Sequence, residues 1–321
     1  MSRAPAAMTP ADLGRLDALA AERGIALAAD APLAPLTTLR VGGPADRILE
    51  ARTRDELMAA LLLARDAGVA WFVLGNGSDV VVADAGIHGL VIRNRARGVT
   101  IDGLELRADS GAPMALLVRR SAAEGLGGLE FGTSIPGTLG GAVWANGGAH
   151  GGEIGELISS VEAWDPRDGA LVTLDAVSCG FGYRESRFKH SGEVVLSAAL
   201  RLHHDDPTAI AARVAANQAQ RVATQPLADQ NAGSVFRNPP GDHAGRLVEA
   251  AGLKGLRIGS AVVSERHANF IVTDRDGRAA DVRALGERVR AEVRAQFGVE
   301  LAYEIEFVGA WASDDDPGGA A

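Results

Sequence analysis

Residues 125–152 read GLGGLEFGTSIPGTLGGAVWANGGAHGG, with glycine at 11 of 28 positions. Glycine weakens helix and strand interiors because it loses the most backbone freedom on folding. A run this dense therefore needs a compensating reason. A flexible linker would be polar and rich in Gly and Ser, whereas this run carries Leu129, Phe131, Ile135, Leu139, Val143 and Trp144. The other reason is close approach of backbone to a ligand, with N–H groups aimed at phosphate oxygens. The stretch reads as a ligand cradle.

Two more glycine clusters support that reading. Leu74-Gly-Asn-Gly-Ser-Asp79 lies between the apolar runs Trp71–Leu74 and Val80–Ala83 and reads as strand, turn, strand. Asn-Gly favours positive φ and a tight hairpin turn. Thr38-Leu-Arg-Val-Gly-Gly-Pro-Ala45 places Arg40 beside Gly42 and Gly43. Three such clusters in the first half of the chain suit one extended, anionic ligand of dinucleotide size. No G-x-G-x-x-G follows a strand and opens a helix, which disfavours a Rossmann site, and no G-x-x-x-x-G-K marks a P-loop.

The chain has 321 residues, a formal net charge of −9 and 47% hydrophobic residues. That is a globular composition, long enough for two domains, and too acidic for a general nucleic-acid binder. Lys189 and Lys254 are the only lysines. The single cysteine, Cys179, excludes a disulfide framework and a cysteine-based zinc site. His203-His204-Asp205-Asp206 reads as a solvated strand end, and no metal site is expected. No apolar signal core opens the chain, and the longest apolar run, Leu57 to Ala64, is too short to span a bilayer. A cytoplasmic, soluble protein is expected, with small-molecule ligands rather than a membrane or nucleic acid as partners, and a monomer is expected.

The elements alternate between helix and strand. Thr9-Pro10 starts a helix to about Arg23, and Thr53-Arg-Asp-Glu56 caps one to about Ala67. Strands are expected at 71–74, 80–83 and 89–93, a hairpin over 99–108, a helix over 112–124, and strands at 161–164, 170–174 and 194–202. Pro207 starts a long helix to about Thr224, followed by a loop over 225–233. Then come a helix at 244–251, a strand at 269–273, a helix at 281–297 with an apolar face, and a final strand from Leu301 to Val308. The fold class is α+β. The expected divisions are an N-terminal helical segment (1–30), a first domain over 31–205 in two parts (31–98 and 99–205), a C-terminal domain over 206–311, and a disordered tail over 312–321.

Three polar groups could carry chemistry. Tyr183-Arg-Glu-Ser-Arg-Phe188 offers Arg184, either as a bidentate anion binder or as a surface ion pair with Glu185 or Asp165. Ser234 follows two small residues in Asn231-Ala-Gly-Ser-Val-Phe-Arg-Asn-Pro239 and is either a pocket hydroxyl or a turn residue. Glu304 and Glu306 fall on one face of the final strand, because strand side chains alternate.

In order, the chain contains V-G-G-P-A-D, L-G-N-G-S-D, G-L-G-G-L-E-F-G with I-P-G-T-L-G-G-A, Y-R-E-S-R-F, A-G-S-V-F-R-N-P, and G-L-K-G-L-R-I-G with V-S-E-R-H-A-N-F-I-V. This order resembles the UDP-N-acetylenolpyruvoylglucosamine reductases, flavoenzymes that complete UDP-N-acetylmuramate for peptidoglycan. The resemblance spans about residues 36 to 309. It implies a vanillyl-alcohol-oxidase-type fold, two subdomains with non-covalent FAD between them, and a smaller domain over the sugar nucleotide. NADPH is the implied hydride donor. The implied catalytic residues are Arg184, Ser234 and Glu304, the last placed by L-A-Y-E-I-E-F-V-G over 301–309.

The implied cofactor contacts fall in three places: Arg40 and Gly42; Gly75, Asn76, Gly77, Ser78 and Asp79; and Gly132, Ile135, Pro136, Gly137, Thr138, Gly140, Gly141, Ala142 and Asn146. Tyr183, Arg237, Asn238 and His267 are the implied substrate contacts. Glu306 stands where the family usually has Arg, and Asp79 where Asn is common. Residues 189–230 contain no Tyr, which matches the family's second, shorter type, without a tyrosine-bearing insertion. The alternatives within this resemblance are another FAD-dependent oxidoreductase of the same fold and a non-catalytic nucleotide-sugar binder.

Overall fold

The computed structural model describes residues 8–311, so the expected tail at 312–321 lies outside the described residues. The first helix, Pro10–Glu22, starts at a capping box between Thr9 and Asp12 and buries Leu16 and Ala20. It packs on Arg54–Ala67, which Thr53 caps and Gly68 ends in the left-handed conformation. Behind these helices lies a four-stranded sheet in the order Ala28–Pro32, Pro44–Ala51, Ile87–Asn94, Trp71–Leu74. The outer pair, Ala28–Pro32 with Pro44–Ala51, is antiparallel and the other two pairs are parallel.

The second sheet has five antiparallel strands in the order Leu171–Leu174, Ile158–Trp164, Val194–Arg201, Glu105–Asp109, Val99–Asp102. Its central strand explains a run that does not alternate. Val194 and Leu196 pack with the first sheet's helices, while Val195, Ala198 and Leu200 pack with Met114–Ala123 and Leu139–Trp144. A strand buried on both faces needs apolar residues at successive positions. It forms a wall shared by two hydrophobic cores.

The third sheet, Gln230–Asn231, Ile271–Thr273, Ala261–Val263 and Arg257–Ile258, is covered by Ala244–Ala250 and Ala279–Phe297. The long helix Pro207–Thr224 does not belong with it. Arg213 binds Glu130 and Asp205, Asn217 donates to the Glu130 carbonyl, and Val214 packs on the second core. This helix is held by Glu130 of the glycine segment and by Asp205.

Two further expectations are corrected. Trp71–Leu74 and Val80–Val82 do not form a hairpin. The first joins Ile87–Asn94, and the second pairs in parallel with Glu306–Val308 from the far end of the chain. The final strand is also shorter than expected. Tyr303 bridges to Phe236 and the Glu304 amide donates to the Val235 carbonyl at 2.8 Å, so the chain bends at Glu304 and regular pairing starts at Glu306. Glu304 and Glu306 thus do not share a strand face.

Backbone crowding gives a test with two signs. A Cβ on Gly43 would lie 2.2 Å from the Asp84 carbonyl oxygen, whereas one on Gly14 in the first helix meets nothing within 4 Å. Gly43→Ala should destabilise by about 1–3 kcal/mol, the scale of overpacking. Gly14→Ala should stabilise by up to about 1 kcal/mol. Urea titrations of the two variants should move in opposite directions.

Candidate active site

Three loops converge beside the paired strands Val80–Val82 and Glu306–Val308. Thr38 donates its amide to the Gly77 carbonyl at 2.9 Å, and its hydroxyl donates to the same oxygen at 3.3 Å. The Asn76 side-chain amide donates to the Pro136 carbonyl at 2.9 Å. These bonds join the loops 37–43, 74–79 and 134–141 into one cleft wall.

The glycines in this wall fall into two groups. A Cβ on Gly42 would run into Val82, on Gly77 into the Leu36 carbonyl, and on Gly140 into Ser110, each under 3.0 Å. Those glycines are required by chain packing on chain. A Cβ on Gly137 would meet only the Ser78 hydroxyl at 3.3 Å and Ile135 at 4.0 Å, and on Gly141 only the Thr138 hydroxyl at 3.9 Å. These two open on the cleft. Among the described residues the amides of Asn76, Gly77, Ser78, Gly137, Thr138 and Gly141 make no internal hydrogen bond. Backbone donors left free in such a concavity suit an anion.

The remaining implied cofactor residues separate by burial. Ile135 is half-buried and Pro136 exposed, both beside Gly137. Gly75 packs close to the Thr138 hydroxyl. Arg40 is exposed at φ +60°, and its guanidinium donates to the Pro35 carbonyl at 3.2 Å. Gly132, Ala142 and Asn146 are buried. Gly132 lies against Met114 and Val118, and Ala142 is in the second core. Asn146 is fully buried, donating to the Gly182 carbonyl at 2.8 Å and accepting from the Gly155 amide at 2.9 Å.

Arg184 and Glu304 meet beside the end of this cleft, and Ser234 is the chain neighbour of Val235, which is bonded to Glu304. Arg184 Nε donates to Glu304 Oε1 at 2.5 Å, and its Nη2 donates to the Gly148 carbonyl at 2.8 Å. Arg184 sits at φ +54°, a conformation that non-glycine residues rarely adopt. The expected partners Glu185 and Asp165 are not used: Glu185 pairs with His190 and Asp165 with Arg167. Ser234 precedes Val235, whose amide donates to the Asn269 carbonyl and whose carbonyl takes the Glu304 amide. Among the described residues nothing hydrogen-bonds the Ser234 hydroxyl.

Tyr183, Arg237 and Asn238 line a pocket of about 310 Å³ with Pro239, Pro240, Glu300 and Ala302. The Tyr183 hydroxyl accepts from the Asn238 amide at 3.2 Å. His267 is not among these lining residues. It packs edge-on against Phe270, and burial together with Lys254 lowers its pKa, which keeps the ring neutral near pH 7. Burial pushes the Cys179 thiol up to about 11, so it is inert. No metal-binding group of His, Cys, Asp and Glu occurs among the described residues.

Comparison with known proteins fits this geometry. Residues 45–175 match the family described as FAD binding domain, and residues 225–308 match the C-terminal domain of UDP-N-acetylenolpyruvoylglucosamine reductase. A reductase of that name from Moorella thermoacetica is 45% identical, over 87% of this chain and 92% of its own. Reductase 2 from Symbiobacterium thermophilum is 42% identical, over 87% and 91%. The chain belongs to the UDP-N-acetylenolpyruvoylglucosamine reductase family. The crystal structure of the Thermus caldophilus reductase superposes with a TM-score of 0.75 at 36% identity, covering 88% of this chain and 98% of that one.

The enzyme is thus an FAD-dependent oxidoreductase of α+β fold. The cleft fits FAD on its own chemistry, since its free amides and its two open glycines, Gly137 and Gly141, leave room and donors for a pyrophosphate. Two buried side chains were missed in the sequence. Asn269 clamps Phe236 through both its amide groups, and Lys189 lies under the site with its side chain 7% exposed. Only the rarity of lysine could have flagged Lys189.

The Asn76 bond to Pro136 generates a test. Asn76→Ala removes the tie between two walls of the cleft. FAD should then bind about five- to tenfold more weakly, the scale of one hydrogen bond. Flavin fluorescence titration of the apoprotein measures this, and unchanged affinity would show that the tie does not shape the cleft.

Proposed function

We propose that the enzyme uses NADPH to reduce the enolpyruvyl group of UDP-N-acetyl-3-O-(1-carboxyvinyl)-glucosamine, giving UDP-N-acetylmuramate for peptidoglycan. The carrying observation is the pairing of Arg184 with Glu304 at 2.5 Å, with Ser234 one residue from Val235, whose carbonyl takes the Glu304 amide. Cytoplasmic action on small molecules is in keeping with a net charge of −9 and with the lack, among the described residues, of a helix long and apolar enough to cross a membrane.

When bound, FAD supplies the hydride chemistry. Asn76 to Ser78 and Gly137 to Gly141 are the segments that would hold it. The pocket of Tyr183, Arg237 and Asn238 offers donors and an exposed aromatic face to the sugar nucleotide. Reduction at C3 of the vinyl group leaves negative charge at C2 and on the adjoining carboxylate. Arg184 answers that charge. Its fork is aimed in advance by Glu304 and the Gly148 carbonyl, so no reorganisation is needed as charge develops. Glu304 acts through this pairing, as an orienting anion. Ser234 donates its hydroxyl proton to C2, and a carbanion conjugated to a carboxylate is basic enough to take it.

Ser234→Ala tests the assignment. Reduction of the flavin by NADPH should stay near normal, while reoxidation by the enolpyruvyl substrate should slow by about 10²-fold or more, the scale of a lost general acid. Stopped-flow absorbance separates the two half-reactions, and equal losses in both would make Ser234 structural. Arg184→Lys keeps the charge but not the fork, so it should slow reoxidation more than it weakens UDP binding. A variant that loses only UDP affinity would move Arg184 out of the reaction.

A further inference from the structure

Ser234 and Glu304 belong to two segments that run side by side. The Glu304 amide donates to the Val235 carbonyl at 2.8 Å, and the Arg237 amide donates to the Ala302 carbonyl at 2.9 Å. These bonds flank one antiparallel bridge, Phe236 with Tyr303. The two bridged rings stack, with centroids 5.1 Å apart and planes 28° apart. Phe236 is buried, and the Asn269 side chain binds its amide at 3.0 Å and its carbonyl at 2.8 Å. The Ser234 hydroxyl has no hydrogen-bond partner among the described residues, so no side-chain bond holds it in place.

Tyr303 is anchored on its other side by the helix Ala279–Phe297. Its phenol donates to Glu287 Oε1 at 2.9 Å. Arg290 lies 5.2 Å from the ring centre, and donates to Glu287 Oε1 at 3.0 Å and to the Leu301 carbonyl at 2.9 Å. Phe307 meets the ring edge-on at 4.9 Å. Gly286 is buried in the interior of this helix, where glycine is less favourable than alanine. A Cβ on Gly286 would lie 2.5 Å from the Tyr303 hydroxyl oxygen and 3.0 Å from the ring. The helix therefore carries a glycine where the phenol enters. Burial, then the Glu287 carboxylate, pushes the phenol's pKa up, so it stays protonated and keeps donating.

We propose that Tyr303 is a positioning residue for the proton transfer: seated at Gly286, it fixes the bridge to Phe236 and so sets where Ser234 stands relative to Glu304 and Arg184. The proposal rests on the role given to Ser234 above. Arg184 fixes Glu304 from one side, and Asn269 fixes Val235 and Phe236 from the other. Tyr303 is the joint between them, because it directly precedes Glu304 and stacks on the residue two places after Ser234. A displacement of its ring passes to both segments through the bonds at Val235 and Arg237. An error of about 1 Å in placing a reacting group can cost about 10²-fold in rate.

Gly286→Ala in the full-length, flavin-loaded protein pushes on the phenol from the helix. Flavin reduction by NADPH should be unchanged, while reoxidation by the enolpyruvyl substrate should slow by about tenfold or more. Adding Tyr303→Phe removes the oxygen that the new Cβ meets first, and should recover about threefold or more of that loss. Amide hydrogen exchange over 235–237 and 302–304 should speed up in Gly286→Ala and slow again in the double variant. In a Ser234→Ala background Gly286→Ala should add little, because no hydroxyl is left to place. Equal slowing of both half-reactions, no recovery with Tyr303→Phe, or the same loss in the Ser234→Ala background would overturn the role of Tyr303. Tyr303→Phe alone keeps the stacked ring and loses only the bond to Glu287. It should slow reoxidation by about threefold, the scale of one hydrogen bond, and an unchanged rate would overturn the proposal even if Gly286→Ala does not fold. Normal reoxidation in Ser234→Ala alone would instead remove the role of Ser234, and this proposal with it.

Discussion

Two three-residue strands hold this molecule's chemistry together. Val80–Val82 and Glu306–Val308 pair in parallel, although more than 220 residues separate them in sequence. Parallel pairing needs a long crossover, and here the crossover is most of the protein. The contact continues past the strands, with the Ala83 amide on the Val308 carbonyl and the Ala310 amide on the Gly86 carbonyl. A Cβ on Gly309 would come within 2.3 Å of the Gly86 carbonyl oxygen, and a Cβ on Gly86 within 1.9 Å of that of Pro44. Three backbones are stacked at a spacing that admits no side chain between them. This stack carries Glu304 and Glu306 to the loop that ends in Asp79.

The glycine content follows from that constraint as much as from ligand binding. Loops that must touch each other backbone to backbone cannot carry Cβ atoms at the points of contact. Gly42, Gly43, Gly77 and Gly140 serve such contacts, and Gly137 and Gly141 leave space in the cleft. The same residue type therefore does two jobs within a few positions. The packing glycines make the walls rigid, and a rigid wall holds its free amides in place before any ligand arrives. Preorganised donors of this kind need not reorient when charge appears.

Charge is arranged by the same convergence. An acidic chain places Arg184 and Lys189 on one short stretch, opposite carboxylates from the chain's far end. Arg184 is held at positive φ, a strained conformation that persists where surroundings over-determine it. Its partners Glu304 and Gly148 supply that determination from two different segments. Val235, the neighbour of Ser234, is hydrogen-bonded to both Asn269 and Glu304. Arg184, Glu304 and Val235 are thus each fixed by a bond to an element remote in sequence.

Local signals in the sequence determined the elements and pointed to the groups proposed to react. Caps at Thr9, Thr53 and Asp206 start the expected helices, Gly68 and Gly298 end two, and the ordered motifs name Arg184, Ser234 and Glu304. These depend on residues a few positions apart, which a sequence displays directly. The tertiary structure alone decided which surfaces met. It sent Val80–Val82 away from the neighbouring strand to Glu306–Val308, bent the chain at Glu304, and moved Pro207–Thr224 onto the glycine segment. It turned Gly132, Ala142 and Asn146 inward and buried Lys189 over Trp144. Such outcomes depend on backbone contacts and charge balance between distant segments, and no spacing along the chain encodes them.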